Sequence, residues 1–186
     1  MSTPTVGNAQ DVVDFLKQQH ESVKSLFDQV LAAHGEQRAQ LFTHLRRMLA
    51  VHETAEEQVV HPRARKELSD GDSIVEQRLA EEHKAKQILK DLEGMDADSE
   101  EFESTFRSFQ HDALAHAQAE EQFEFAALER TLDDEELERM RRAVEFAERV
   151  APTRPHPGVE SAAANLLVGP FAAMLDRARD ALSGRG

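Results

Sequence analysis

Apolar residues recur at steps of three and four through most of this chain, the spacing of one face of an α-helix. The first such segment opens at Asn8, whose side chain can cap the amides ahead, and runs to His34 before Gly35. Leu16, His20, Val23, Phe27 and Val30 then share one face. A second helix starts near Glu36 and carries Leu41, Leu45, Met48 or Leu49, His52, Glu56 and Val59 on its apolar side. Ser69, Asp70, Gly71 and Asp72 form a turn, and a third helix follows from Ser73 to about Glu93, with Ile88 and Leu92 far round from His83. After a turn over residues 94–99, a fourth helix carries Phe102, Phe106, Phe109, Ala113, His116, Glu120, Phe123 and Ala127 on one stripe. Asp133 and Asp134 start a fifth, amphipathic helix reaching about Val150. Pro152, Pro155 and Pro157 then enforce an extended linker before a final helix around Phe171, Leu175, Ala178 and Leu182.

These elements predict an all-α protein: an up-down-up-down four-helix bundle over residues 1–132, with residues 133–186 as a helical extension packed on the bundle or at a dimer surface. A chain of 186 residues suits one well-filled core. Either a monomer or a homodimer fits this pattern.

The bundle faces are not wholly apolar, and that turns a fold into a site. His52 and Glu56 form one H-x-x-x-E, and His116 and Glu120 form a second. His20 and His83 precede them by 32 and 33 residues. Residues four apart on a helix project within about 40° of each other, so each pair offers a nitrogen and an oxygen to one side. Counting outward from the turns near Gly35 and Asp70 at about 1.5 Å per residue puts His20 level with His52, and Glu56 level with His83, to within about 3 Å. His116 fits that depth less well, being further from its turn. Four imidazoles and two carboxylates in one layer suit a pair of transition-metal ions such as iron or manganese; calcium is disfavoured by the histidines, and a single structural zinc would not need bridging glutamates. Two carboxylates buried among side chains such as Leu45, Val59 and Phe109 would be costly without a cation.

On these residues the chain resembles the hemerythrin-like, HHE cation-binding family, over roughly Asp11 to Leu132. The resemblance implies that His20, His52, Glu56, His83, His116 and Glu120 ligate two iron ions, with Glu56 and Glu120 as bridging carboxylates. It also implies chemistry with O2, hydrogen peroxide or nitric oxide. Oxygen-carrying members have a fifth histidine on the third helix and an aspartate as last carboxylate. Here Leu79 and Gln87 stand at that spacing from His83, so a coordination position is left for water, peroxide or another side chain. His61, Glu53, Glu57, Glu82 and Gln87 are the candidates within the chain. Glu53 and Glu82 are expected to face solvent, because adjacent helical residues diverge by about 100°. His61 lies far round from His52 on an ideal helix, but Pro62 should bend the helix there and can swing the imidazole inward, as an additional ligand or a supporting residue. No role falls to His34, His44, His111 or His156.

Charge and composition narrow the partners. With 36 acidic against 22 basic residues and a formal charge of −14, the chain should repel nucleic acid and anionic membrane surfaces. No apolar stretch is long enough to span a bilayer, the N-terminus lacks a signal-like region, and cysteine is absent, so the cytoplasm is the expected compartment. The expected function is a non-haem di-iron protein of oxidative or nitrosative stress that decomposes peroxide. The alternative is an oxygen- or iron-sensing or storage protein without turnover.

Overall fold

The structure, a computed structural model, describes residues 11–153. Four long helical runs pack antiparallel, and a further helix lies across the first two. The first is α1 (Val12–Ala32). Its N-cap is Asp11, which accepts the amides of Val13 at 2.8 Å and Asp14 at 3.0 Å, satisfying donors that no intrahelical partner reaches. The expected opening at Asn8 lies outside the described residues. All five residues expected on the inner face of this helix are buried.

The second run is α2 (Gly35–Ala55), a π-helical turn (Glu56–Val60) and α3 (His61–Glu67). The third is α4 (Gly71–Glu93). The fourth is α5 (Glu100–Glu120), a second π-helical turn (Glu121–Phe125) and α6 (Ala126–Thr131). The bundle is therefore up-down-up-down, as the periodicity predicts. The last described helix is α7 (Asp134–Val150), opened by a capping box between Asp133 and Glu136. It packs on α1 and α2 through Leu137, Val144 and Ala147. The segment expected to be helical around Phe171 lies outside the described residues.

One end of the bundle is closed by polar contacts between two turns. Gly35 takes a φ of 58°, and its amide donates to Asp98 at 2.9 Å. The buried Arg38 guanidinium donates to the carbonyls of Ala33 and Ala97, capping the end of α1 while tying it to the α4–α5 turn.

The core is in two parts. Val23, Phe27, Val30, Phe42, Leu45, Leu49, Leu89, Leu92, Phe102, Phe106 and Phe109 fill this closed end, with Phe102 and Phe106 stacked at 5.5 Å. Val12, Val13, Leu16, Ala55, Val60, Phe125, Leu128, Leu132, Leu137 and Val144 fill the other. Chain positions between the two clusters, such as 20, 52 and 120, are polar and buried.

Two expectations about inward residues are corrected by the π-turns. Val60 is buried in place of Val59, and Phe125 in place of Phe123, which is 50% exposed. A π-turn inserts one residue into the helical count, so side chains beyond it are rotated by about 100° from where a regular α-helix would put them.

Gly71 begins α4 hard against α3: a Cβ there would lie 2.2 Å from the Arg65 carbonyl oxygen. Gly94, by contrast, has helical angles and an ordinary 3.4 Å nearest approach. Gly71→Ala is expected to lose about 1–3 kcal/mol by forcing backbone apart, and Gly94→Ala to gain up to about 1 kcal/mol. Thermal unfolding followed by circular dichroism tests both; equal melting temperatures for the two variants would contradict the packing described.

Candidate metal centre

Between the two apolar clusters, α1 supplies His20, α2 supplies His52 and Glu53, and Glu56 opens the first π-turn. α3 opens with His61, α4 gives Glu82, and α5 gives His116 and Glu120. Donor atoms fall into overlapping groups whose members lie within 4.8 Å of one another: His20, His52, Glu56 and Glu120; Glu53, Glu82 and His116; and His61, Glu82 and Glu120. Glu120 faces both sides. Its Oε2 lies 3.6 Å from His20 Nε2 and its Oε1 lies 3.2 Å from His116 Nε2.

The local backbone explains how His61 joins this layer. On an uninterrupted α-helix it would lie about 140° round from Glu56. Instead the His61 amide donates to the Glu56 carbonyl, a five-residue step, and the two side chains come over one another. Pro62, which has no amide to offer, follows directly. The second π-turn follows Glu120 in the same way and leaves Glu124 buried beside His61.

All four histidines are held from outside through Nδ1. His20 bonds Glu121 at 2.8 Å, His52 bonds Gln19 at 2.7 Å, His61 bonds Glu124 at 2.8 Å, and His116 bonds Glu81 at 2.9 Å. Carboxylates and amide oxygens only accept, so each Nδ1 carries the proton. The Gln19 amide is oriented by its own Nε2 donating to Glu148 of α7 at 2.7 Å. His61 also meets Glu82 through Nε2 at 2.5 Å, whereas His52, kept neutral by burial and by His20, presents an Nε2 lone pair inward. The Nε2 atoms of His20 and His52 face each other at 3.1 Å, and His52 Nε2 lies 3.1 Å from Glu56 Oε2. Two Nδ1-protonated neutral rings so placed would repel through their Nε2 lone pairs, and a shared cation removes that repulsion. Donors bound at about 2.1 Å to one ion, at right angles, would stand about 3.0 Å apart.

The carboxylates need the same explanation. Both oxygens of Glu56 and Glu120, and one each of Glu53, Glu82 and Glu124, are buried without a hydrogen-bond donor. Burial, with Glu120 and Glu53 nearby, raises Glu56 well above the usual carboxylate range, and burial raises Glu82 in the same way despite His61. Burial and the neighbouring His20 lower His52 to about 3. Burial works against charged rings at His61 and His116, but Glu82 and Glu124 at the first, and Glu120 at the second, raise both well above the ordinary imidazole range. Burial likewise opposes ionisation of Glu120, yet His116 holds it below the usual range. Excess acceptors are here sharing too few protons, and the donor set fits one or two divalent cations of borderline hardness.

Of the residues expected from the sequence, His20, His52, Glu56, His116 and Glu120 come together, and His83 does not. His83 is exposed, and Glu82 takes the inward position on α4. The signal for this was present: Val75, Glu82 and Leu89 follow at seven-residue steps, whereas His83 is about 100° round from that line. The expectation of solvent exposure is therefore corrected for Glu82, which is 1% exposed, and for Glu53, which is half-buried. Glu57 is also buried, ion-paired to the buried Lys86, and Gln87 is exposed. Of the two glutamates expected to bridge, Glu56 contacts His20 at 3.9 Å and His52 at 3.1 Å, and Glu120 divides its oxygens between the two sides. His34, His44 and His111 are exposed, and His156 lies outside the described residues.

Two cavities reach the layer. One, of about 310 Å³, has a polar mouth of Glu21, Lys24, Gln118 and Glu121 and ends at His20, His52, His116 and Glu120. The other, of about 440 Å³, approaches Glu53, Glu82 and His116 between α2, α4 and α5.

Glu82→Ala is expected to lower the metal content after reconstitution, while His83→Ala leaves it at the wild-type level; elemental analysis of the two proteins decides between adjacent residues. Because a cation must displace protons held by His61, His116, Glu56 and Glu82, affinity should rise with pH and binding should release protons. Calorimetry in two buffers of different ionisation enthalpy measures that release, and a buffer-independent enthalpy would contradict it.

The profile of the family described as hemerythrin HHE cation binding domain matches residues 11–128. An uncharacterized hemerythrin-like protein of Schizosaccharomyces pombe is 30% identical over 134 residues, 71% of this chain and 66% of its own length. A DNA nickase of Nostoc sp. is 27% identical over 137 residues, 73% of this chain and 38% of its own length. The chain thus spans less than two thirds of either curated relative. The crystal structure of a hemerythrin HHE cation binding domain-containing protein from Mycobacterium kansasii superposes with a TM-score of 0.65, at 24% identity, covering 75% of this chain and 85% of that one; the likeness is one of fold.

Proposed function

The chain belongs to the hemerythrin HHE cation-binding family, and from that premise we propose that it is a non-haem di-iron protein that decomposes hydrogen peroxide. The observation that carries the reading is the approach of His20 Nε2 and His52 Nε2 to 3.1 Å, with buried, donorless carboxylate oxygens around them. In this reading His20, His52 and Glu56 hold one ion, and His116, His61 and Glu82 hold the other. Glu120, with Oε2 toward His20 and Oε1 toward His116, would serve both. Iron and manganese both accept such a nitrogen and oxygen set, and iron suits a two-electron cycle.

A bound pair of iron ions would supply the two-electron redox chemistry by which two H2O2 become O2 and two H2O without an outside reductant. The residues of the chain do the rest. Glu121, Gln19, Glu124 and Glu81 fix the imidazoles in one tautomer, so no reorientation accompanies a change of ligand. The polar mouth lined by Glu21, Lys24 and Gln118 admits a small hydrogen-bonding molecule. Glu53 lines both cavities, and burial raises its pKa, so it can hold a proton at Oε2 and pass it to a molecule beside His116.

The experiment is anaerobic reconstitution with ferrous iron, elemental analysis, and oxygen-electrode measurement on adding peroxide. The chain has neither tyrosine nor tryptophan, so new near-ultraviolet and visible bands report on the bound metal. Two irons per chain with O2 evolution are expected in the wild type, and Glu120→Ala is expected to lose both. Metal and spectral change without O2 evolution would point to an oxygen- or iron-binding role without turnover. No retained metal would end the reading.

A further inference from the structure

The 440 Å³ cavity between α2, α4 and α5 is larger than the proposed chemistry needs. O2, nitric oxide or peroxide requires about the space of one or two waters, roughly 30 Å³ each. Pockets that hold small organic molecules run to about 300–1,000 Å³. The walls are organic in character: Leu49, Ala50, Ala85, Ile88, Leu89 and Phe109 line it.

Its charged residues say what kind of molecule fits. Arg78 is paired with Glu81 at 3.1 Å, Lys84 with Asp112 at 2.7 Å, and Lys86 with Glu57. Each cation lining the cavity already has its anion, so a carboxylate or phosphate head group would meet no uncompensated positive charge. Apart from Glu53, Glu82 and His116 of the metal-centre layer itself, one lining group is nevertheless unsatisfied. Arg78 is 5% exposed, and its buried Nε–H has no acceptor. A buried donor without a partner costs free energy that an acceptor oxygen would restore.

We propose that this cavity binds a neutral, largely apolar organic molecule bearing a carbonyl or hydroxyl oxygen, which accepts from Arg78 Nε while the body packs on Leu49, Ala85, Ile88 and Leu89. Binding there does not require metal; the placement of the molecule against His116, within reach of the second ion, rests on the di-iron reading. The polar mouth beside His20 then serves small hydrophilic molecules, and the apolar one serves this second ligand class.

The probe is prodan, a neutral naphthalene carrying one ketone, compared with anilinonaphthalene sulfonate, which has a naphthalene body and a negative charge. Their fluorescence is read on the full chain without interference from tryptophan or tyrosine. Wild type is expected to bind prodan at least about tenfold more tightly than the anionic probe. Ala85→Leu and Ile88→Phe fill the cavity from α4 and are expected to weaken prodan at least about tenfold, whereas Ala117→Leu, which lines only the polar cavity, leaves it unchanged. Circular dichroism confirms that each variant is folded, and two filling variants guard against the failure of one. Unchanged prodan affinity in a folded filling variant, or no binding by wild type, overturns the site; equal affinity for the two probes overturns the neutral class. Metal content measured on the same samples tests the di-iron reading separately, since its loss would leave the probe comparison intact.

Discussion

Burial of several carboxylates in the middle of a helical bundle is the constraint on which the rest of this molecule depends. Glu56, Glu82, Glu120 and Glu124 are each at most 1% exposed, and oxygens of all four lack a donor. An uncompensated buried charge costs on the order of several kcal/mol, against about 1.5–3 kcal/mol gained by burying one large apolar side chain. A few unrelieved carboxylates would therefore offset much of what Phe27, Phe102, Phe106 and Phe109 contribute. His61 between Glu82 and Glu124, and Lys86 beside Glu57, relieve part of this. Among the described residues, no ion pair from a lysine or arginine reaches His20, His52, Glu56 or Glu120, and the neutral ring of His52 adds to the demand for a cation.

The two π-turns are how the helices meet that demand. Each begins at or just after the glutamate of an H-x-x-x-E pair, where a regular α-helix would carry its next inward residue away from the layer. Adding one residue to the turn brings His61 over Glu56, and sets Phe125, rather than Phe123, against His20 at 5.5 Å. The cost is a local disturbance of the helical hydrogen bonds. The gain is two further functional positions, His61 and Glu124.

Around the layer runs a second set of contacts that links it to the surface. Glu81 and Glu121 are partly exposed and bond ligand-position histidines, and Arg78 steadies Glu81. Helix α7, beyond the family-matched residues, contributes through Glu148 and Gln19 to His52. His52 is thus the one histidine held by an amide instead of a carboxylate, which leaves its ring the least electron-rich of the four. The extension is part of the site's support as well as of the core.

The bundle, its order and most of its inward faces were legible in the sequence, because a period of 3.6 residues with capped ends depends only on local geometry. So were His20, His52, Glu56, His116 and Glu120, since residues four apart share a helical face whatever packs against them. Choosing Glu82 over His83 needed the rotation of α4, which is set by Val75, Leu89 and Leu92 packing into a core built by other helices. Bringing in His61 and turning out Phe123 needed the π-turns, which local propensity does not announce; Pro62 hinted at one and nothing comparable marked the other. The sequence by itself determined that four helices would carry imidazoles and carboxylates inward at one depth. Which neighbouring atoms close the centre was decided only by tertiary structure, because a one-residue shift in helical register rotates a side chain by about 100° and only packing fixes that register.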